Sequence, residues 1–286
     1  GKLFGTDGVR GVAGKDLTCE LALQIGRGTA AVLTSLDGHR PKILIGKDTR
    51  VSGDMLESTL AAGLCSVGAD VELLGVIPTP GVAYLVRKYN ADAGIMISAS
   101  HNPMEFNGIK IFKGDGYKLP DEVENQIEAH VFNNCTDIRL AEGADIGRIK
   151  MCRTGVKDYV DFLQEHIDAD LTGLKVLFDC ANGASARVAQ ELFPRLGCEC
   201  GFIGTQQDGV SAVAKANLLR AGNLTKGLLI GSSLDLDLGV ISSKANKLAN
   251  SGGLVKCLGG GTKNVAVVQL IATADRAGLV LPLGQV

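Results

Sequence analysis

The first half of the chain alternates short apolar runs with amphipathic stretches. A β-branched run at 42–46 (KILIG) is followed by a polar turn and an amphipathic stretch at 54–69. Further apolar runs at 71–75 (VELLG) and 93–98 (AGIMIS) enclose a helical segment at 82–91. Short apolar runs separated by helical patterns are typical of strand–helix–strand units. The pattern therefore predicts an α/β fold with mixed, largely parallel sheets and helices on both faces.

A second α/β unit is predicted in the rest of the chain. Helical 155–167 leads into a new apolar strand at 174–180 (LKVLFDC), and a loop and helix follow. That helix should end near Pro194 and Gly197, because proline and glycine stop helices. We therefore expect one domain over residues 1–150 and a second over 151–286.

Composition changes after Phe202, where the chain has neither an aromatic residue nor a glutamate and is rich in Gly, Leu, Ala, Val and Ser. Short apolar runs still permit α/β structure there. Two explanations stay open, a small buried segment of the second domain or a divergent or truncated stretch.

Charge and cysteine usage narrow the classes of function. The net charge of -2 gives no reason to expect nucleic acid or an acidic membrane as a partner. No apolar run of about 18 residues is present, so we expect neither a transmembrane span nor a signal peptide. The eight cysteines are thinly spread apart from Cys198 and Cys200, whose C-x-C spacing suits zinc poorly. Reduced, structural thiols and a cytoplasmic location are expected.

The strongest local feature is the segment 98–103 (SASHNP), directly after an apolar strand. Pro103 disfavours helix at Asn102, so the segment should form an exposed loop. Ligands collect at the carboxyl ends of strands in α/β sheets, and a serine there needs activation by a base, a metal or an attached phosphoryl group. The segment alone leaves two interpretations, a displayed reactive hydroxyl or an ordinary turn in which Ser100 caps the next element.

Two cationic residues could serve the same cleft. Lys110 follows Gly108 at the start of the next predicted strand and could move a proton, although a solvent-facing lysine is the commoner outcome. Upstream, the glycine-rich stretch 5–11 (GTDGVRG) reads as a loop in which the Arg10 guanidinium suits a phosphate oxyanion.

Taken together, these motifs resemble the α-D-phosphohexomutase family. The matching stretches are FGTDGVRG, GKDTRVSG, PTPGVAY, ISASHNPMEFNGIKIF and GYKL, in family order from residue 1 to about 130. LKVLFDCANGAS and IGTQQDGV extend the resemblance to about 210, and the wording is closest to the amino-sugar branch. The resemblance implies family domain 1 at 1–150, carrying the phosphoserine loop, and domain 2 at 151–286, divergent after about 205.

The resemblance also implies roles for individual residues. Ser100 occupies the position that carries the phosphoryl group, with His101 beside it. Arg10 matches the arginine near this phosphate, and Lys110 matches the lysine given the general acid/base role. Arg50 matches a phosphate- or substrate-binding position that lines the cleft, in a role more supportive than catalytic. The implied reaction interconverts glucosamine 6-phosphate and glucosamine 1-phosphate through a sugar bisphosphate, toward UDP-N-acetylglucosamine and peptidoglycan.

The family's metal site is only partly matched. The resemblance implies Mg²⁺ held by the phosphoserine at Ser100 and by three aspartates of a DGDGDR loop, which this sequence lacks. Its nearest counterpart is 233–238 (SLDLDL), where Asp235 and Asp237 alternate and could share a hard cation. A strand with two exposed acids explains the same residues equally well.

Several alternatives stay open. The family's third and fourth domains have no counterpart, so we expect the chain to be poorly active alone, as a fragment or with a divergent tail. Phosphomannomutase or phosphoglucomutase activity, and a non-catalytic phosphosugar-binding module, are the other candidates. A serine hydrolase is disfavoured because no G-x-S-x-G motif is present. The expected partner is a phosphosugar, with a homodimer possible by analogy with the family.

Overall fold

The structure, a computed structural model, describes residues 3–5, 8–100, 102–167, 170–172, 175–180 and 182–207, together with strands at 228–231, 255–259 and 266–270. The chain divides into two compact units, Gly1–Gly155 and Val156–Val286. Among these described residues, no helix is both long and apolar enough to cross a bilayer. The assignment of 1–150 and 151–286 to two family domains stays a prediction.

The first unit contains a six-stranded sheet and four α-helices. Its strands and helices are, in chain order, β1 (Val9–Val12), α1 (Cys19–Asp37), β2 (Lys42–Lys47), α2 (Ser52–Ser66), β3 (Asp70–Val76), α3 (Thr79–Lys88), β4 (Ala93–Ile97), β5 (Phe106–Lys113), α4 (Asp121–Phe132) and β6 (Ile149–Met151).

The sheet has the strand order β1-β5-β4-β2-β3-β6. Strand β5 runs antiparallel to β1 and β4, while β4, β2, β3 and β6 are mutually parallel. The predicted mixed α/β fold is therefore confirmed. Since four strands are parallel, their carboxyl ends share one edge of the sheet.

Helices cover both faces of this sheet, as the sequence predicts. On one face Ile45, Ile95 and Ile109 lie in a fully buried core with residues of α1, α2 and α4. On the other face a Cβ added at Gly94 would meet the side chains of Val82 and Val86, so α3 packs closely there.

In the first unit, helices α1 and α4 and strands β1 and β6 escaped the sequence-based prediction. Helix α1 begins after Thr18, whose Oγ accepts a hydrogen bond from Leu21 N at 3.2 Å, and ends at Gly38 with φ +68°. These are ordinary start and stop signals. Helix α4 and strand β1 were also missed. Strand β1 corrects the interpretation of residues 5–11 as a loop throughout, because residues 9–11 are extended and paired with β5.

The second unit contains the helices α5 (Gly155–His166) and α6 (Ala186–Arg195) and the strands β7 (Lys175–Asp179), β8 (Glu199–Ile203), β9 (Leu228–Gly231), β10 (Val255–Gly259) and β11 (Ala266–Leu270). Its sheet order is β10-β11-β9-β7-β8, parallel except between β10 and β11.

A small aromatic core holds the described part of this unit together. Phe178 is fully buried, and its ring lies 4.3 Å from Phe193 and 5.0 Å from Phe202 between centroids. Helix α6 ends one residue after Pro194, and Gly197 follows with φ +90°, which confirms the predicted helix end.

Seven of the eight cysteines are seen as free thiols, at positions 19, 65, 135, 152, 180, 198 and 200. Burial, together with the neighbouring Cys198, raises the pKa of the Cys200 thiol to about 11. Because the thiolate is the form that binds metals and attacks electrophiles, Cys200 is a weak ligand and nucleophile at neutral pH. The structure therefore agrees with structural roles for this C-x-C pair.

Candidate active site

The segments after β2 and β4 lie side by side at the carboxyl edge of the first sheet. Asp48 N donates to Ile97 O at 3.0 Å, and Ser98 N donates to Gly108 O at 2.9 Å. The carboxyl ends of β2 and β4 and the amino end of β5 are therefore joined there. The predicted serine loop, 98–103, thus occupies the edge at which α/β sheets bind ligands.

Ser100 has an unusual backbone conformation. Its φ is +57°, in the left-handed region that non-glycine residues rarely adopt. Its amide donates to Ser98 Oγ at 3.0 Å, and Ser98 Oγ in turn donates to Asp48 Oδ2 at 2.7 Å. Such backbone strain persists only where the surroundings hold it, and it concentrates at functional sites.

The Arg50 side chain lies beneath this loop and is almost fully buried. Its Nε donates to Asp48 Oδ2 at 2.9 Å. Its two terminal nitrogens donate to four backbone carbonyls, which belong to Ser100 (3.0 Å), Asn102 (2.8 Å), Pro103 (2.6 Å) and Phe106 (3.0 Å).

These contacts show what the Arg50 guanidinium binds in this structure, while its assignment to phosphate or substrate stays a prediction. A guanidinium has five N–H donors, and all five of Arg50 are engaged by protein acceptors. No donor is left for a phosphate oxygen in this arrangement. The structure therefore makes Arg50 part of the support of the loop.

Lys110 and Arg10 share one face of the sheet. Lys110 is paired with Met96 on β4, and Arg10 is paired with Gly108 on β5. Because paired residues and residues two apart on a strand project to the same side, both cations lie on the face that α3 covers. Lys110 is only 6% exposed, so the alternative of a solvent-facing lysine is wrong.

Gly108 permits the close packing of these side chains. A Cβ built there would lie 2.8 Å from Ser98 O and 3.0 Å from Arg10 Cγ. The Arg10 side chain therefore passes over a position where only glycine fits. The structure thus requires glycine at this position for strand packing next to Ser98.

Lys47 is a further cation near this edge, and its side chain forms structural ion pairs. Its Nζ lies 2.6 Å from Asp54 Oδ1 and also contacts Glu57, both on α2. Burial opposes its charge, but the hydrogen bonds to Asp54 and Glu57 outweigh that effect, so the pKa of Lys47 is raised. Lys47 therefore stays protonated and ties β2 to α2.

Three further residues of the edge were not singled out from the sequence, namely Asp48, Ser98 and Asn107. Asn107 is fully buried and its Nδ2 donates to Ser52 Oγ at 2.9 Å. A usable signal existed, since Asp48 and Ser98 both directly follow buried strands of a parallel pair. Side chains in such positions meet at one edge.

Three predicted site residues cannot be placed. His101, Asp235 and Asp237 lie outside the described residues. Within the described part of the chain, no group of three or more His, Cys, Asp or Glu side chains is arranged to hold a metal ion. Of the predicted magnesium ligands, Ser100 alone has a described position.

In the second unit, the loop after β7 is joined to the loop after β8. Asn182 has φ +55°, and its Oδ1 accepts from Gln206 N at 2.9 Å. Gly183 N closes a turn onto Cys180 O at 2.8 Å. These contacts make residues 182 and 183 part of a turn that is tied to the segment after β8.

Residues 1–137 match the family described as phosphoglucomutase/phosphomannomutase, alpha/beta/alpha domain I. A phosphoglucosamine mutase of Acetivibrio thermocellus is 57% identical over 211 residues, which is 74% of this chain and 47% of the relative. One of Clostridium botulinum strain Loch Maree is 55% identical over 212 residues, again 74% of this chain and 47% of the relative.

A solved structure gives the same result. A phosphoglucomutase/phosphomannomutase family protein from Burkholderia thailandensis superposes with a TM-score of 0.62 at 27% identity, covering 73% of this chain and 45% of that protein. The chain spans about half the length of the relatives it matches. The sequence match, the shared fold and the serine loop at the sheet edge agree, and residues 1–137 are similar to domain I of the phosphoglucomutase/phosphomannomutase family.

Proposed function

We propose that this chain serves a phosphoglucosamine mutase reaction, the interconversion of glucosamine 6-phosphate and glucosamine 1-phosphate through a phosphoserine at Ser100. One observation carries the proposal. Ser100 is held in a left-handed conformation at the carboxyl edge of the sheet, next to the sheet face that bears Lys110 and Arg10. The relatives at 55–57% identity carry the phosphoglucosamine mutase name.

The proposed chemical step is a phosphoryl transfer. Ser100 Oγ attacks a phosphorus of a sugar bisphosphate, an O–P bond to Ser100 forms, and the O–P bond to the sugar oxygen breaks. The proton of the serine hydroxyl passes to the leaving sugar oxygen, which gives a sugar monophosphate and phosphoserine. The reverse step at the other sugar oxygen completes the isomerisation.

Each proposed side chain has a separate task in this step. Arg10 offsets negative charge on the transferring phosphoryl group, which otherwise repels the attacking oxygen. Lys110 carries the proton between Ser100 and the sugar, for which its burial beside the strand end suits it. His101, the neighbour of the nucleophile, is proposed to assist in binding the phosphate.

Mg²⁺ is the cofactor of the proposed reaction. Ser100, once phosphorylated, would be one ligand, with Asp235 and Asp237 as the proposed protein carboxylates. When bound, Mg²⁺ would neutralise phosphate charge. The described residues contain no group of three or more His, Cys, Asp or Glu side chains that could hold the ion.

A second candidate differs only in the sugar. The solved relative from Burkholderia thailandensis is named for the phosphoglucomutase/phosphomannomutase family, so a hexose phosphate without an amino group is the alternative substrate. A non-catalytic phosphosugar-binding module is the third candidate. A homodimer and a cytoplasmic location are retained as proposals by analogy with the family.

Incubation of the purified chain with a glucosamine bisphosphate, with and without Mg²⁺, tests the proposal. We expect one phosphate per chain, located on Ser100 by peptide mass spectrometry, and none in Ser100→Ala. Ser58→Ala is the matched control, because Ser58 is an exposed serine on α2. It should be phosphorylated like the parent chain.

The outcomes separate the candidates. Faster phosphorylation by the glucosamine compound than by glucose bisphosphate favours the amino-sugar reaction, and the opposite order favours the alternative substrate. A parent chain that binds the sugar phosphate without gaining phosphate on Ser100 would leave the non-catalytic module as the explanation.

A further inference from the structure

We propose that residues 48–52 (DTRVS), here termed the clamp segment, hold the Ser100 loop in its reactive backbone geometry, with Arg50 as the principal positioning residue. This inference rests on the proposed function for its catalytic meaning, but its structural content is independent of it. In this proposal the Arg50 guanidinium binds backbone carbonyls of the protein and does not bind the substrate phosphate.

The first argument is the extent of the Arg50 contacts. One side chain binds four carbonyl oxygens at distances from 2.6 to 3.0 Å, three in the loop between β4 and β5 and one at the first residue of β5. These carbonyls accept from a common cation, which fixes the course of the backbone at residues 100, 102, 103 and 106. Hydrogen bonds from a charged donor are stronger than those between neutral groups.

Asp48 sets the orientation of the guanidinium. Its Oδ2 accepts from Arg50 Nε at 2.9 Å, and its Oδ1 accepts from Arg50 N at 3.1 Å. The two side chains are 13% and 1% exposed, so they form a nearly buried ion pair. An ion pair at such burial has a single well-defined geometry, because unpairing either charge is costly.

Asp48 is also connected to the Ser100 amide, through the Ser98 hydroxyl. Ser98 Oγ donates to Asp48 Oδ2 and accepts from Ser100 N, while Ser100 O accepts from Arg50. Both backbone polar groups of Ser100 are thereby tied to the Asp48–Arg50 pair, one directly and one through Ser98. Ties at the amide and the carbonyl of one residue fix its φ and ψ, which accounts for the left-handed conformation.

Ser52 anchors the far end of the loop. Its Oγ accepts from Asn107 Nδ2 at 2.9 Å, and Asn107 Oδ1 accepts from Gly108 N at 2.8 Å. The start of β5 is therefore joined to the start of α2. Since Lys110 lies on this strand, the clamp segment also fixes the strand that carries the proposed proton carrier.

A fixed loop matters because phosphoryl transfer depends chiefly on positioning. A displacement of about 1 Å in a reacting group can reduce a rate by about 10²-fold. The clamp segment should therefore affect the rate of transfer from a bound sugar bisphosphate without changing how tightly that compound binds.

Hydrogen exchange on the unliganded chain tests the structural content. Three loop amides are protected by internal bonds, namely Ser100 N to Ser98 Oγ, Asn102 N to Ala99 O and Phe106 N to Pro103 O. In Arg50→Lys we expect exchange in peptides spanning 98–106 to accelerate by about tenfold or more. Peptides from β2 and β3 should keep the parent rate.

Arg40→Lys is the matched control. Arg40 also binds backbone carbonyls, of Ala144 and Ile146, but it precedes β2 at the opposite edge of the sheet. Its replacement should leave the exchange of the Ser100 loop unchanged. Equal loop exchange in Arg50→Lys and the parent chain would overturn the proposal.

The kinetics of Ser100 phosphorylation test the assignment of Arg50 to positioning. With a glucosamine bisphosphate as donor, Arg50→Lys should lower the limiting rate constant by about 10²-fold and leave the half-saturating donor concentration unchanged. An unchanged rate constant with a raised half-saturating concentration would instead identify Arg50 as a phosphate ligand and overturn the proposal.

Ser98→Ala provides a second test of the clamp segment if Arg50→Lys does not fold. This small change removes the acceptor of the Ser100 amide, whose exchange should accelerate while the sheet stays protected. Unchanged exchange there would contradict the clamp. If Ser100 accepts phosphate in no variant, including the parent, the proposed function fails, whereas the exchange results still decide whether the clamp segment exists.

Discussion

At the scale of single residues, the site is assembled from positions where a small side chain lets two strands approach. Gly8 and Gly108 both lie against backbone. A Cβ on Gly8 would come 2.2 Å from Ile109 O, and one on Gly108 would come 2.8 Å from Ser98 O. These glycines bring β1, β5 and the Ser100 loop closer together than any other residue would allow.

We expect Gly108→Ala to destabilise the chain by about 1–3 kcal/mol, because the added methyl group forces the backbone of Ser98 to move. The free energy of unfolding in urea measures this change. Phosphorylation of Ser100 should slow as well, since the displaced carbonyl belongs to the loop.

Gly53→Ala is the control for this substitution. A Cβ at Gly53 meets nothing closer than 3.4 Å, and the residue lies in the first turn of α2. Alanine should be neutral or stabilise the helix by up to about 1 kcal/mol. If both variants had the same stability as the parent, close packing at Gly108 would not be a constraint.

The sequence was sufficient to locate Ser100 but not its conformation. A short polar segment between an apolar strand and a proline indicates a strand-end loop. The left-handed φ depends on Arg50 and Asp48, which lie about fifty positions earlier and form contacts no local pattern encodes. For the same reason the sequence does not show which backbone carbonyls the Arg50 guanidinium binds, since these acceptors lie about fifty positions later.

At the scale of elements, the N-terminal segment is attached to the unit by helix α4. Glu128 is buried, and its Oε1 accepts from Leu3 N at 2.5 Å and from Phe4 N at 2.6 Å. Phe4 itself is fully buried. Because this segment leads into β1, one carboxylate on α4 helps to place Arg10.

We expect Glu128→Ala to increase hydrogen exchange in residues 3–10 and to lower the free energy of unfolding by about 1–3 kcal/mol, because two backbone N–H groups lose their acceptor. Glu128→Gln keeps an acceptor oxygen and should have a smaller effect. Gln126→Ala, at an exposed position of the same helix, should change neither measurement. Unaltered exchange in Glu128→Ala would show that Phe4 alone fixes the segment.

Elements with strong periodicity were predictable, and those defined by long-range pairing were not. The strands β2, β3 and β4 and the helices between them follow from apolar runs and amphipathic stretches. Strand β1 has only four residues and exists through its pairing with β5 about a hundred positions later. Its glycine-rich sequence favours a loop, so tertiary pairing overrode the local preference.

At the scale of the whole molecule, the hydrophobic cluster on the α1, α2 and α4 face of the first sheet consists of residues of the first unit. The cluster runs from Phe4 to Val131 and contains the inner faces of α1, α2 and α4. The second unit has a separate, smaller cluster around Phe178. Each unit therefore has the hydrophobic core that an independent domain requires.

The division into units leads to a prediction about residues 1–155 expressed alone. A domain of this size buries enough apolar surface to fold, so we expect one cooperative urea transition with a free energy of unfolding of about 5–15 kcal/mol. The Ser100 loop should keep its slow hydrogen exchange, because the clamp segment and the loop both lie in this unit. A chain ending at residue 131 is the control, since it lacks β6, which pairs with the edge strand β3, and it should unfold at lower urea. A non-cooperative transition for residues 1–155 would show that the first unit depends on the remainder of the chain.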